Sequence, residues 1–280
     1  MPRFRGRTAK WLNYEVAGAE QEDLLILLHP HPLDARVWIY QMAHLSQHFR
    51  VVALDFPGYG KSGPVRDKAI SVKDLAEDVR NLFSELGADS GIVGGLSVGG
   101  VVALQFALDY QPQVKALILS GCPGKITPAV AGIFEERIQG YRRRGLSYRR
   151  QHLESLVTGE FASSELGRYV ISLFLETNAS TDVDSIVRSF EALLKFDGAG
   201  RLHDIKVPTL LINGEKDMAL ASTRELSEGI PGSIHKIIKG AAHACAVEKP
   251  WEFDRLLLDF LMKQNLLPKP FEQPRGEPAE

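Results

Sequence analysis

Short apolar runs alternate along the chain with longer segments whose apolar positions recur at helical spacing. Six runs are rich in Val, Ile and Leu and are bounded by turn residues, which predicts strands. They are LLILL (24–28), RVVALD (50–55), GIVGG (91–95), KALILS (115–120), PTLLIN (208–213) and SIHKIIK (233–239). Several are apolar throughout, as is typical of strands covered on both faces. The alternation predicts βαβ units around a mostly parallel central sheet, an α/β fold with helices on both faces.

Helices are predicted where apolar residues recur every three or four positions instead of forming a continuous run. In segment 72–86, Leu75, Val79, Leu82 and Phe83 share one stripe. Further helices are predicted at 101–110 and 250–262.

The alternation of strands and helices stops between residues 124 and 201. This stretch contains no convincing strand and predicts several helices, the clearest at 181–196, where Thr181 and Asp184 form a possible capping pair. The pattern divides the chain into a first core part, a helical insertion, a second core part and a tail rich in Pro and Glu. The predicted bounds are 1–123, 124–201, 202–264 and 265–280. The pattern alone leaves open whether the insertion is inert packing or a lid over a pocket.

Composition favours a protein that acts on a small molecule. The net charge is −2 and 24% of the 280 residues are charged, so no electrostatic footprint indicates nucleic acid or an anionic membrane as a partner. The basic run YRRRGLSYRR (141–150) is interpreted as a solvated helix face rather than a phosphate-binding patch. The sequence indicates no oligomeric state.

The apolar runs are too short to span a bilayer, and the N-terminus shows no secretory pattern. Cys122 and Cys245 lie far apart and do not resemble the disulfide framework of a secreted protein. We therefore expect a cytoplasmic protein with free thiols.

A G-x-S-x-G motif lies between a predicted strand and a predicted helix. It comprises Gly95, Ser97 and Gly99, and the glycines allow the close backbone crossing that a sharp turn at the serine requires. An incidental serine in a Gly-rich turn and a phosphate-binding loop are the alternatives, although neither G-x-G-x-x-G nor G-K-[ST] occurs in the segment 91–105 around Ser97. The motif favours Ser97 as a nucleophile.

A serine nucleophile needs a base and preferably a carboxylate that orients the base. Asp217 lies four residues past one predicted strand, and His243 lies in a small-residue loop after the last one. Either could be an ordinary loop residue on its own. Ser97, Asp217 and His243 nevertheless occur in the chain order Ser, Asp, His, each after a separate strand. Glu215 is a weaker candidate for the acid.

These segments resemble the α/β-hydrolase fold family, in its lidded esterase, lactonase and haloperoxidase-like branch. The resemblance extends from about Tyr14 to Leu261, and its matching segments are LLILLHPHPLDARVW, VVALDFPGYGKSG, GGLSVGGVVALQFA, VPTLLINGEKD and GAAHACAVEKP. It implies that Ser97 is the nucleophile, His243 the base and Asp217 the orienting acid.

The resemblance also assigns roles outside the triad. It implies that 124–201 is an inserted all-helical lid, or cap, and that Asp55 is structural. Dehalogenases and epoxide hydrolases of this fold carry Asp where this chain has Ser97, so their chemistry is disfavoured.

The sequence His29-Pro30-His31-Pro32 occupies the place of the family's oxyanion loop, usually His-Gly-X-Pro. Proline has no N–H, so only the two histidines can donate from the backbone here, and His31 is in register. The resemblance implies an oxyanion hole formed by the N–H groups of His31 and Val98. The departure is Pro30, which cannot adopt the positive φ open to glycine. The His31–Pro32 bond is a candidate cis peptide.

A metal site at the His-x-His pair is the competing interpretation, and it lacks a third ligand nearby. The sequence therefore predicts a serine hydrolase without metal or cofactor, acting on a small hydrophobic ester or lactone. The same triad could also serve C–C bond or amide hydrolysis, acyl transfer or perhydrolysis. A slowly turning ligand sensor is the alternative outside catalysis.

Overall fold

The apolar runs form the strands of one eight-stranded sheet, seen in a computed structural model that describes residues 2–177 and 181–268. The strands are β1 (Arg3–Phe4), β2 (Leu12–Ala17), β3 (Leu24–Leu28), β4 (Arg50–Leu54), β5 (Gly91–Leu96), β6 (Val114–Ser120), β7 (Thr209–Gly214) and β8 (Ile234–Ile238). Their order is β1-β2-β4-β3-β5-β6-β7-β8, and all neighbours are parallel except β1 with β2 and β2 with β4. The predicted strands are confirmed, whereas β1 and β2 were not predicted.

The helices of the described residues, apart from short 3-10 turns, are α1 (Ile39–Leu45), α2 (Val72–Leu86), α3 (Val98–Tyr110), α4 (Pro128–Arg144), α5 (Arg149–Glu154), α6 (Gly159–Ser163), α7 (Glu165–Thr177), α8 (Val183–Leu193), α9 (Leu220–Gly229), α10 (Cys245–Glu248) and α11 (Pro250–Lys263). The predicted helix at 72–86 coincides with α2, which begins at a capping box between Ser71 and Asp74 and ends at Gly87 in the left-handed region.

Helices cover both faces of the sheet, and β3 shows why its sequence is apolar throughout. Leu24, Ile26 and Leu28 belong to the core that contains the apolar faces of α2 and α3. Leu25 and Leu27 belong to the opposite core, which contains α11. Because side chains alternate between the two faces of a strand, a strand buried on both faces needs apolar residues at every position.

The chain between β6 and β7 forms the helices α4 to α8, and its two ends meet. The N–H of Ile126 donates to the carbonyl of Phe196 (3.2 Å), and that of Gly198 donates to Gly124 (2.9 Å). The expected capping pair Thr181–Asp184 is wrong: Asp182 caps α8, and its side chain accepts from the N–H of Ser185. The helical segment thus leaves and rejoins the sheet at one place.

Most of the basic side chains in the run 141–150 are solvated, as its composition indicated, although part of the run is buried. Tyr141, Tyr148 and Arg149 are buried, because α4 ends at Arg144 and the chain turns into α5. The other four arginines of the run, Arg142, Arg143, Arg144 and Arg150, face solvent.

Near the C-terminus, Leu266 and Leu267 pack on the core, while 269–280 of the predicted tail lie outside the described residues. None of the helices described is long and apolar enough to cross a membrane.

Candidate active site

Ser97 occupies a sharp turn between β5 and α3. Its φ of 57° and ψ of −117° lie in a region that residues other than glycine rarely adopt. Residues with such unusual backbone angles are often found at functional sites. A Cβ on Gly95 would lie 2.2 Å from the carbonyl carbon of Gly99, and one on Gly99 would lie 2.1 Å from the carbonyl oxygen of Leu28. The two motif glycines are therefore required by close backbone contacts.

Asp217 and His243 form a buried hydrogen-bonded pair. Nδ1 of His243 donates to Oδ1 of Asp217 over 2.7 Å, and the carboxylate also accepts from the N–H of Ala219 (2.8 Å) and from Nδ2 of Asn213 (2.6 Å). Burial alone would raise the pKa of Asp217, but the charge of His243 and these hydrogen bonds outweigh it and hold the pKa below its usual value. The ionised carboxylate fixes the ring so that Nε2 faces away from Asp217.

Glu215, the weaker candidate for the acid, lies elsewhere. Its side chain is exposed and accepts from the N–H of Gly240 over 3.0 Å. The structure pairs His243 with Asp217 and not with Glu215.

Gly121 is a part of this arrangement that the sequence analysis missed. It follows β6 with a φ of +53°, and a Cβ there would lie 2.9 Å from Cε1 of His243 and 3.0 Å from Oδ2 of Asp217. The N–H of Ser97 donates to the carbonyl of Ser120 (2.8 Å), the residue before Gly121. The ends of β5, β6 and β7 are thereby brought to one point.

Ser97 and His243 line one cavity, and the empty space in and at the mouth of this cavity is about 640 Å³. Much of its wall is apolar and comes from the chain between β6 and β7. These residues are Val130, Ile133, Phe134, Leu156, Phe190 and Leu193. A cavity with apolar walls and few polar groups is the usual form of a small-molecule site.

His31 lies on the same cavity, and its bond to Pro32 is cis, as the sequence indicated. Its ring stacks on Phe190 at 4.6 Å, Nδ1 bonds the hydroxyl of Tyr59, and Nε2 lies 3.0 Å from Oγ of Ser189. Burial, with a smaller contribution from the nearby His29, holds the pKa of His31 well below its usual value. The ring is therefore neutral and fixed.

The backbone N–H groups of His31 and Val98 are both available. Within the described chain neither donates to another protein group, and Val98 is the first residue of α3, where the N–H has no acceptor inside the helix. Two such donors beside a serine could stabilise an oxyanion.

His29 has a structural role. Nδ1 donates to the carbonyl of Pro30 and Nε2 accepts from the N–H of Phe56, each over 3.0 Å, and burial lowers the pKa of His29 to about 4. Protein groups thus occupy both ring nitrogens of each histidine in His-Pro-His-Pro. Across residues 2–177 and 181–268, no three His, Cys, Asp or Glu side chains are grouped to hold a metal ion.

Asp55 anchors loops, as the family resemblance implied. Its carboxylate accepts from the N–H groups of Ala35 (2.9 Å) and Lys61 (3.0 Å) and from Nδ2 of Asn13 (2.9 Å). The residue is absent from the cavity wall.

Two further ionisable residues of the cavity wall, Arg137 on α4 and His152 on α5, were not predicted. His152 is buried, and its Nδ1 lies 2.9 Å from the hydroxyl of Tyr141. Arg137 continues the stripe of Val130, Ile133 and Phe134 along α4. The sequence signal was a cation at helical spacing on an otherwise apolar face, which is uncommon unless the charge has a partner.

Known proteins resemble the chain over most of its length. A family model described as alpha/beta hydrolase fold matches residues 23–250. A protein of Agrobacterium fabrum named as a carbamate hydrolase is 26% identical over 256 residues, covering 90% of this chain and 98% of the relative. The pimeloyl-(acyl-carrier protein) methyl ester esterase of Photorhabdus laumondii is 30% identical over 257 residues, covering 86% and 93%.

Among solved structures, the enol-lactonase from Burkholderia xenovorans LB400 superimposes with a TM-score of 0.84 at 26% identity, covering 93% of this chain and 100% of that one. These relatives are hydrolases, and this chain is a hydrolytic enzyme. The chain belongs to the α/β-hydrolase fold family.

Proposed function

We propose that the protein is a serine hydrolase, independent of metal or cofactor, that cleaves a carboxylic ester or lactone through an acyl-enzyme on Ser97. The observation that carries the proposal is that Ser97, on its strained turn, borders the same cavity as His243, whose ring is oriented by Asp217. A serine, an imidazole base and a carboxylate that orients the base are the parts that nucleophilic acyl transfer needs.

In the first step, Nε2 of His243 takes the proton of the Ser97 hydroxyl as Oγ attacks the carbonyl carbon. The N–H groups of His31 and Val98 stabilise the oxyanion. His243 then gives its proton to the leaving alkoxide, and an alcohol departs, or the ring opens in a lactone. In the second step, His243 takes a proton from water, which attacks the acyl carbon. The acid is released and Ser97 recovers its proton.

The helical segment 124–201 acts in this proposal as a lid domain between the core parts 1–123 and 202–264. The hydrogen bonds that join its two ends, and the apolar side chains that α4 and α8 contribute to the cavity, support this role. A lid of this kind limits the access of bulk water to the reacting groups and selects the substrate by shape.

The names of the relatives support acyl transfer to water as the reaction class. A methyl ester, an enol-lactone and a carbamate each contain a carbonyl carbon bonded to a leaving heteroatom. We favour the ester or lactone because a serine triad cleaves these bonds most readily.

The test is covalent labelling with an uncharged fluorophosphonate, followed by mass spectrometry of the labelled peptide. We expect one adduct, on Ser97, in the native enzyme, and none on that peptide in Ser97→Ala. Failure of the native protein to label would overturn the mechanism.

Turnover of short-chain nitrophenyl esters and of simple lactones measures the reaction itself. We expect hydrolysis that Ser97→Ala abolishes. A labelled serine without turnover of any ester or lactone would instead favour amide or C–C bond hydrolysis, or a sensor.

A further inference from the structure

Arg137 is a buried cation on the wall of the candidate active site. Only 9% of its surface is exposed, and it borders the cavity that Ser97 and His243 also line. The rest of the stripe on α4 is apolar, so a guanidinium at this position must be explained by what it contacts.

The part of the chain that the structure describes provides Arg137 with a hydrogen bond but with no counter-charge. Nη2 donates to Oγ of Ser155 over 2.8 Å, and that hydroxyl donates to the carbonyl of His152 over 2.6 Å. Among residues 2–177 and 181–268, no carboxylate lies within ion-pair distance of its guanidinium. Ser155 therefore holds the side chain in place without neutralising it.

The histidines on the cavity wall cannot neutralise Arg137, because an imidazole ring is either neutral or positively charged. Burial holds the pKa of His31 well below its usual value, and burial together with the charge of Arg137 does the same for His152. The carboxylate of Asp217 is already paired with His243. A buried guanidinium without an anion is costly, and a bound anion removes that cost through strong, charge-assisted hydrogen bonds.

We infer that the substrate is an ester or lactone that also carries a carboxylate, and that Arg137 binds this carboxylate while Ser97 attacks the acyl carbon. The inference rests on the proposed function and specifies its substrate class. A carboxylate fits better than a phosphate, because the described residues of the wall include one guanidinium and no second lysine or arginine. The apolar residues beside Arg137 favour an aliphatic or otherwise apolar spacer between the two carbonyl groups.

The first experiment compares monomethyl esters of straight-chain dicarboxylic acids with their dimethyl esters, which have the same chain but no charge. We expect the native enzyme to hydrolyse at least one monomethyl ester with a kcat/KM about 10- to 100-fold above that of its dimethyl ester, as expected for a hydrogen-bonded charge pair. Arg137→Gln should remove this preference, mainly through KM, and Arg137→Lys should restore part of it.

Arg143→Gln is the matched control, because Arg143 lies on the same helix, is exposed and does not line the cavity. It should retain the preference. The inference is overturned if no monomethyl ester is preferred, or if Arg137→Gln lowers kcat/KM for both ester classes alike, as a structural role would.

A second experiment does not depend on hydrolysis. Binding of the preferred monomethyl ester to Ser97→Ala is measured by calorimetry, with and without Arg137→Gln. We expect Kd to rise about 10- to 100-fold in the double variant. An equal Kd in the two variants would overturn the inference, even if the fluorophosphonate labels Ser97 in the native enzyme. If Ser97 is not labelled but binding still depends on Arg137, only the proposed hydrolytic mechanism is overturned.

Discussion

Nδ1 of His243 lies 2.7 Å from Oδ1 of Asp217. Asp217 follows the end of β7, and His243 follows the end of β8. The loops after the two strands position the pair, because parallel neighbouring strands end at the same edge of the sheet. The hydrogen bond selects the His243 tautomer whose Nε2 can accept a proton.

Asp217→Asn is expected to lower kcat by about 10³- to 10⁴-fold, since an amide can stabilise the wrong tautomer and cannot balance the imidazolium. Glu215→Gln is the matched control, because it removes a carboxylate two residues away that is exposed and bonds only Gly240 in the described contacts. It should keep kcat within about threefold of the native value. Steady-state ester hydrolysis measures both, and a similar loss in the two variants would contradict the pairing.

The two glycines Gly99 and Gly132 should respond oppositely to alanine. A Cβ on Gly99 meets the Leu28 carbonyl oxygen at 2.1 Å, so Gly99→Ala should lower the free energy of unfolding by about 3 kcal/mol or more. Gly132 is exposed within α4, and a Cβ there meets nothing within 4 Å. Gly132→Ala should raise that free energy by about 0.5–1 kcal/mol. Urea unfolding measures both, and a neutral Gly99→Ala would contradict the close crossing.

Asp78 should make stability fall as the pH rises from about 4 to about 6. Its carboxylate is buried on α2 and accepts from the N–H of Arg7 and from the N–H and hydroxyl of Thr8. Burial outweighs these hydrogen bonds and raises the pKa of Asp78 from 3.8 to about 6. The folded protein therefore binds this proton more tightly than the unfolded chain does. The resulting stabilisation is complete below pH 4 and is lost through pH 6.

The Asp78→Asn variant isolates this effect. The free energy of unfolding of the native protein minus that of the variant should decrease by up to about 3 kcal/mol between pH 4 and pH 7. Urea unfolding at a series of pH values measures the difference, in which other titrating groups cancel. A constant or rising difference would show that Asp78 stays ionised in the folded protein.

Cys122 and Cys245 should be inert in the folded enzyme. Both are fully buried and absent from the cavity wall, and burial raises the pKa of Cys122 strongly and that of Cys245 to about 12. A thiol that is buried and protonated does not react with disulfide reagents. We expect no labelling before unfolding and two thiols per chain in denaturant. Rapid labelling of the native enzyme, with loss of activity, would place a cysteine at the cavity.

The sequence predicted the strands that are buried on both faces because almost every position in them is apolar. In LLILL, both faces need apolar side chains, and the run is unambiguous. The antiparallel strand β2 was missed although Leu12, Tyr14 and Val16 alternate with the polar residues between them. A half-buried strand of six residues carries that weaker alternating signal, which turns and loops can also show by chance.

By itself, the sequence determined the local chemistry of this protein: the serine turn with its two glycines, the chain order of the three candidate catalytic residues, and the removal of backbone donors by two prolines. These depend on neighbours along the chain. Only the tertiary structure decided that Asp217 rather than Glu215 bonds His243, that Gly121 must be small, and that Arg137 and His152 border the cavity. Such relationships depend on how separate strands and helices pack. The periodicity of a helix or strand indicates which of its faces is apolar, but it does not indicate which residues pack against that face.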